Sequence, residues 1–289
     1  MAAPTSLESL LERIRVRASS DAHAWLLELT TALRGGVPAE RLLRVFPSVA
    51  RRLGRSSLLA GAELGLRGPQ DHVPLDDWSL DVAGRCALLL AFAAGTPEAL
   101  PATLESAYHE GDSLEKIAVV RSLSLLPDSE RFTGIALDAG RTNETELFRA
   151  VALANPFPAR HYPELEFNKL VMKAAFVRAP LDRILGLDRR ANAELSRMAM
   201  DHIDEQESAQ RSFVPEIWLA VAPHPPPGAV GRMLGYLSHG MPGQRRGAAR
   251  GLLRAGQPRT RSFLAERLEV ERDAAVRNTL LEALSELDR

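Results

Sequence analysis

Apolar side chains recur at about one helical turn along nearly the whole chain, and this spacing leaves little room for any fold other than a helical one. Leu7, Leu10, Leu11 and Ile14 occupy positions i, i+3, i+4 and i+7, which share one helix face, with Thr5 or Ser6 available as the N-cap. A second helix is predicted over residues 21–34, burying Trp25, Leu26, Leu29 and Leu33, and Gly35-Gly36 stops it. A third begins at Pro38 and carries Leu42, Leu43 and Val49, with Pro47 ending or kinking it. The same signal predicts helices over 76–94, 98–109, 113–126, 128–139, 143–153, 164–177, 191–211, 228–238, 242–254 and 259–287, the last in two pieces. Proline and glycine fall between these segments. No stretch alternates apolar and polar residues with β-branched enrichment, so strand content near zero is expected.

Composition agrees. Aromatics make up 5% of the chain and leucine and alanine carry most of its apolar content, which favours helix because these two residues lose least on helix formation. A length of 289 residues suits one large helical unit or two medium ones. The 36 basic and 37 acidic residues leave a formal charge of −1; no basic excess marks a nucleic-acid partner, and none is expected. Cys86, the single cysteine, lies in an apolar run and reads as a small buried hydrophobe suited to a reducing compartment. The N-terminal Met1-Ala2-Ala3-Pro4-Thr5-Ser6 lacks the basic and apolar regions of a signal peptide. The longest strongly apolar stretch, 86–94, falls far short of the ~20 residues that span a bilayer. The expectation is a cytoplasmic chain that is not transmembrane. A peripheral position at the inner membrane is a secondary reading, resting on Arg246, Arg250 and Arg254 along one helical face.

Three segments share a basic residue, small residues and leucines: 115–123, 245–253 and 273–284. They resemble the second helix of HEAT-type repeats, in which small residues let neighbouring helices approach. The expected fold class is therefore all-α, a HEAT-like α-solenoid with an irregular central insertion. Residues 1–140 would form N-terminal repeats, 141–226 the irregular region and 227–289 C-terminal HEAT-like helices, within one continuous structural unit. The middle region stands out for Asn155-Pro156-Phe157-Pro158, Tyr162-Pro163 and Pro223-His224-Pro225-Pro226-Pro227. Function tends to collect where a regular scaffold is interrupted.

The middle region also carries a family resemblance. The runs Phe132-Thr133-Gly134-Ile135-Ala136-Leu137-Asp138-Ala139-Gly140-Arg141-Thr142-Asn143, Asn155-Pro156-Phe157-Pro158-Ala159, Glu166-Phe167-Asn168-Lys169-Leu170-Val171-Met172-Lys173-Ala174-Ala175-Phe176 and Arg183-Ile184-Leu185-Gly186-Leu187, followed by Arg190, Asn192 and Arg197-Met198-Ala199, resemble the EboA family of bacterial proteins. The similarity covers about residues 130–220, and the first 130 residues carry no matching motif. The resemblance implies a gene cluster with a UbiA-type prenyltransferase and a sugar-phosphate cyclase, and a role in making or moving a small cyclitol-like or prenylated product. It supplies no catalytic mechanism.

Two constellations could carry chemistry. Asn155, His161, Glu166, Asn168 and Lys173 combine a base, an ammonium and amides suited to a polyol or phosphate; capping, buried backbone satisfaction and surface ion pairing are the structural alternatives. Arg183, Arg190 and Arg197, spaced by seven, could grip a phosphate, or pair with the nearby Asp182, Asp188, Glu194 and Asp201. Asp201, His202, Asp204 and Glu205 read as a solvated acidic face, since neighbouring helix positions point about 100° apart, and no metal site is expected. Glycine-rich phosphate loops and nucleophile elbows are missing, so no cofactor is expected.

Two functions remain open. One is a non-enzymatic helical scaffold or adaptor in a secondary-metabolite biosynthesis and export pathway, touching the prenyltransferase or sugar-phosphate-cyclase-like protein, with a small polar or phosphorylated ligand as a further partner. The other is a cofactor-free enzyme acting on a polyol, sugar-phosphate-like or prenylated cyclitol substrate.

Overall fold

Helices begin where a short polar side chain can accept the amide protons that a first turn leaves free. Thr5 and Glu8 form a reciprocal capping box, and so do Asp112 and Glu115; Ser19, Asn192 and Asp273 cap in the simpler manner. The computed structural model of the protein describes residues 5–58, 65–68, 72–257 and 259–288. These are overwhelmingly helical, as the periodicity requires. Strand is limited to a two-residue antiparallel pair, Leu66–Arg67 with His72–Val73, in a segment where no helix was expected.

The chain divides into two compact units, Met1–Tyr162 and Pro163–Arg289, so the division falls inside the irregular region. The first contains α1 (Ser6–Arg17), α2 (Ser20–Arg34), α3 (Ala39–Val45), α4 (Val49–Leu53), α5 (Leu80–Gly95), α6 (Leu100–His109), α7 (Ser113–Ser122), α8 (Thr133–Arg141), α9 (Thr145–Ala152) and α10 (Phe157–His161). The second contains α11 (Glu164–Phe176), α12 (Leu187–Arg190), α13 (Ala193–Ser208), α14 (Trp218–Val221), α15 (Ala229–Tyr236), α16 (Pro242–Ala255), α17 (Thr260–Val270) and α18 (Ala274–Leu287). Pro47 breaks the third helix as anticipated: α3 ends at Val45, and a 3₁₀ turn, Phe46–Ser48, leads into α4.

In the first unit α5 is buried around its whole circumference from Leu80 to Ala93, packed against α1, α2, α4 and α7. A helix apolar on every side belongs in a core. Close approach depends on Gly84, where a Cβ would stand 2.2 Å from Leu53 Cδ1. Cys86 lies here, its Sγ 3.3 Å from the carbonyl of Ala118, and burial pushes its thiol pKa up, which leaves it inert.

This core helix also holds charge. Arg85 and Asp81 are 1% and 0% exposed and pair at 2.8 Å. Asp81 further accepts from Ser79 Oγ, and Arg85 Nε donates to the Phe46 carbonyl at 3.2 Å. Because these contacts satisfy both ions, the cost of desolvation is offset only while both are present.

The second unit is organised on α16, where Gly247, Ala248, Ala249, Gly251 and Leu252 are all buried. A Cβ on Gly247 would lie 2.3 Å from the Pro215 carbonyl, and one on Gly251 would lie 2.7 Å from Trp218 Cβ. The small residues noticed in the sequence are therefore contact residues. At one end of α16, Arg245 forks onto Glu271 with two 2.8 Å bonds and also donates to the carbonyls of His239 and Gly240. Arg267 adds a further bond to Glu271 at 2.7 Å.

Two outcomes follow. Arg85→Ala should cost about 3–5 kcal/mol in urea unfolding by orphaning a buried carboxylate, whereas the double change Arg85→Met, Asp81→Leu should cost clearly less. Glu271 has a carboxyl held well below its ordinary 4.5, first by the Arg245 hydrogen bonds, with burial opposing. Because the folded-state value is the lower one, its stabilising contribution is complete above about pH 4.5 and drains away as pH falls further. Glu271→Gln should therefore lower stability at pH 7 and flatten its acid dependence in pH-series thermal melts.

Candidate functional site

Residues 151–158, which include the Asn-Pro-Phe-Pro run, are buried without exception. The non-helical part, 153–156 between α9 and α10, must find partners for its buried backbone, and two side chains supply them. Arg121, 6% exposed, donates to the carbonyls of Leu153 at 2.8 Å and Ala154 at 3.4 Å. Ala154 takes a left-handed conformation with φ 49°, which turns the chain there. Asn155 Oδ1 accepts from Phe157 N at 3.0 Å and from Ser124 Oγ at 3.3 Å, while its Nδ2 donates to the Ala150 carbonyl at 3.0 Å. His161 lies 3.0 Å from Ser129 Oγ, with its ring 4.6 Å from that of Phe157. The structure thus builds Asn155 and His161 into the packing of the first unit.

The other candidates belong to the second unit. Glu166 pairs with Lys169 at 2.9 Å, one turn away on α11. Asn168, 1% exposed, makes a reciprocal pair of hydrogen bonds with Asn192, at 3.1 and 3.0 Å. Asn192 in turn caps α13 through Leu195 N and donates to the Arg190 carbonyl. The Arg190 guanidinium lies 4.7 Å over the Phe167 ring, so Asn168, Arg190 and Phe167 do come together. Lys173 is partly buried, and desolvation lowers its pKa.

Arg183, Arg190 and Arg197 sit on a 3₁₀ turn, on α12 and on α13 respectively. Spacing by seven aligns residues only within one continuous helix, so it does not align these three. Arg197 is engaged by Glu194 and Asp201, both at 2.6 Å. Asp204 and Glu207 hold Arg232, and His202 lies against Phe176. Among the described residues, no group of three or more His, Cys, Asp or Glu is placed to hold a metal ion.

A cleft of about 320 Å³ opens within the second unit, near the lower end of the range for small-molecule sites. Its apolar lining includes Leu181, Ile184, Leu187, Leu219, Pro223 and Leu253; its charged lining is Asp182, Asp188, Arg250, Arg254 and Glu286. Gly186, at φ 76°, makes the left-handed turn that starts α12 on one wall. Arg250 and Arg254, one turn apart on α16, form the other wall, facing Asp182 at 2.9 Å and Asp188 at 3.8 Å. Both pairs are part-exposed, and such pairs contribute no more than about 1 kcal/mol, so they can be rearranged at little cost. The sequence placed Arg250 and Arg254 on one face, but expected Asp182 and Asp188 to serve arginines nearby in the chain; only packing joins residues 68 positions apart.

The fold and this cleft define an all-helical protein with a charged concavity formed between packed helices of its second unit. The sequence model of one family, described as "Metabolite traffic protein EboA", matches residues 7–222. The chain belongs to the EboA family. No curated protein and no solved structure matches it. The match extends the resemblance across residues 7–129, where the motif reading found nothing. In that stretch leucines and alanines are set by packing, so no short polar motif stands out.

Asn155→Ala should destabilise the first unit by about 1–3 kcal/mol per buried group left without a partner, seen as a lowered denaturation midpoint. Glu166→Gln, which weakens the part-exposed ion pair with Lys169, should lower that midpoint by less than Asn155→Ala does.

Proposed function

We propose that this EboA-family chain serves metabolite traffic as a non-catalytic helical adaptor, contacting the prenyltransferase-like or sugar-phosphate-cyclase-like proteins of its pathway. The observation that carries this reading is the engagement of the side chains best suited to chemistry. Asn155 is spent on a buried loop and Asn168 on the Asn192 cap. Groups already committed to the fold are poorly placed to change partners during a reaction. A HEAT-like stacking of helix pairs, with residues 227–289 as its C-terminal portion, is the architecture we associate with this role. In its support, α15 packs on α16, α16 on α18, and α17 on α18. Among the described residues no helix is long and apolar enough to cross a membrane, and a cytoplasmic location, peripheral to the inner membrane, is part of the proposal.

A cofactor-free enzyme is the second reading. It is favoured by Lys173, a partly buried ammonium whose pKa desolvation lowers.

Affinity purification of the tagged chain with the co-expressed cyclase-like and prenyltransferase-like partners separates the two. The adaptor predicts a stoichiometric complex and unimpaired product formation in Lys173→Ala. Loss of product in Lys173→Ala and Glu166→Gln, with fold and complex intact, would overturn it in favour of the enzyme.

A further inference from the structure

A second concavity, of about 310 Å³, lies against α15, α16 and α17, and its chemistry is unlike that of the charged cleft. Its hydrocarbon lining is Leu252, fully buried on α16, with Val230 and Leu234 one turn apart on α15 and Phe263 on α17. Val230, Leu234 and Phe263 are only partly buried, so they present apolar surface that a ligand would take from water. The polar lining is Gln257, Arg259 and Thr260, and no carboxylate belongs to it. Gly256, at φ 58°, ends α16 in a left-handed turn, and these three residues lie just beyond it in the chain. Two of them are turned to backbone: Thr260 Oγ1 to the Leu252 carbonyl at 3.5 Å and Gln257 Nε2 to the Ala255 carbonyl at 3.3 Å. Arg259 differs. The nearby Arg254 and Arg261 pair with Asp188 and Asp288, but among the described residues no carboxylate or carbonyl engages the Arg259 guanidinium. It also stands where α17 begins, and no side chain caps that helix, so the first-turn amides add to the positive potential.

An unengaged guanidinium beside open hydrocarbon selects among ligands. A cation is repelled. One arginine balances one negative charge, and its fork matches the two oxygens of a carboxylate. A phosphate monoester brings roughly two charges at pH 7, more than this lining answers. Hydroxyl or amide groups on the body of the ligand would face valine, leucine and phenylalanine, where a polar group buried without a partner is costly. We propose that this cavity binds a monocarboxylate with a compact, unsubstituted hydrocarbon body. The carboxylate forks onto Arg259, and the body lies on Leu252 between Val230, Leu234 and Phe263. The volume, near the lower end for small-molecule sites, keeps that body small. The inference goes beyond the adaptor reading, since neither a partner protein nor turnover enters it, and it concerns a different place from the charged cleft.

The test is isothermal titration of the full chain at pH 7 with octanoate below its micellar concentration, set beside acetate, octanamide, octyl phosphate and N-acetylleucine. Acetate lacks the body, octanamide lacks the charge, and N-acetylleucine presents its carboxylate as a chain terminus does, with a peptide group beside it. Octanoate should bind saturably and at least tenfold more tightly than each of the others. Arg259→Gln should weaken octanoate tenfold or more, whereas Arg261→Gln, at the neighbouring arginine already held by Asp288, should leave it within twofold. Val230→Trp, which places an indole in the cavity from a part-exposed position, should abolish binding; circular dichroism and thermal melts confirm the fold of all three variants. No saturable binding of octanoate, equal or tighter binding of any comparison ligand, equal losses in Arg259→Gln and Arg261→Gln, or unchanged affinity in folded Arg259→Gln or Val230→Trp would overturn the proposal.

Discussion

Arginine side chains that leave their helices to donate to carbonyls elsewhere recur at the points where both units would otherwise come apart. Arg85 reaches Phe46, Arg121 reaches Leu153 and Ala154, Arg245 reaches His239 and Gly240, and Arg277 reaches Leu268 and Glu271. Each carbonyl lies at or beside a break in helical structure, where the backbone has no neighbour one turn away to bond with. A guanidinium carries five donors in a rigid plane and stays charged when buried, so a single side chain can close several such gaps. Part of the chain's positive charge is internal cement and does not form a surface for anionic partners.

Carboxylates keep those buried ions tolerable. Asp81 pairs with Arg85 inside α5, and Glu271 accepts from Arg245, Arg267 and the amides of Arg272 and Asp273. Around these fixed polar points, glycines let neighbouring elements approach closely: Gly84 makes room for the Leu53 side chain in the first unit, and in the second Gly247 for the Pro215 backbone and Gly251 for the Trp218 side chain. The two devices support one another: close helix contact excludes water, and water exclusion strengthens the ion pairs.

The irregular middle of the chain reads differently once its burial is known. Its prolines and asparagine read as an irregular interruption able to carry a site, because function tends to collect on the loops of a regular scaffold. Burial of 151–158 depends on Arg121, more than thirty residues earlier in the chain, and nothing local to Asn155-Pro156-Phe157-Pro158 reveals that partner. The concavity lies elsewhere, where α16 brings Arg250 and Arg254 to the turn around Gly186.

Helical character, the stops at Gly35-Gly36 and Pro47, the buried inert Cys86 and the small-residue face of α16 were all legible in the amino-acid order. Each rests on local spacing or on the intrinsic chemistry of one residue. The same holds for the family motifs after residue 130, which are contiguous. Pairing across long separations was not legible: Asp182 with Arg250, Arg121 with Leu153, and Asn168 with Asn192. A charged or amide side chain has many suitable partners in a sequence this rich in them. Which one it meets is decided only when packing of the apolar faces brings distant helices within hydrogen-bond reach, and the cleft is a product of that packing.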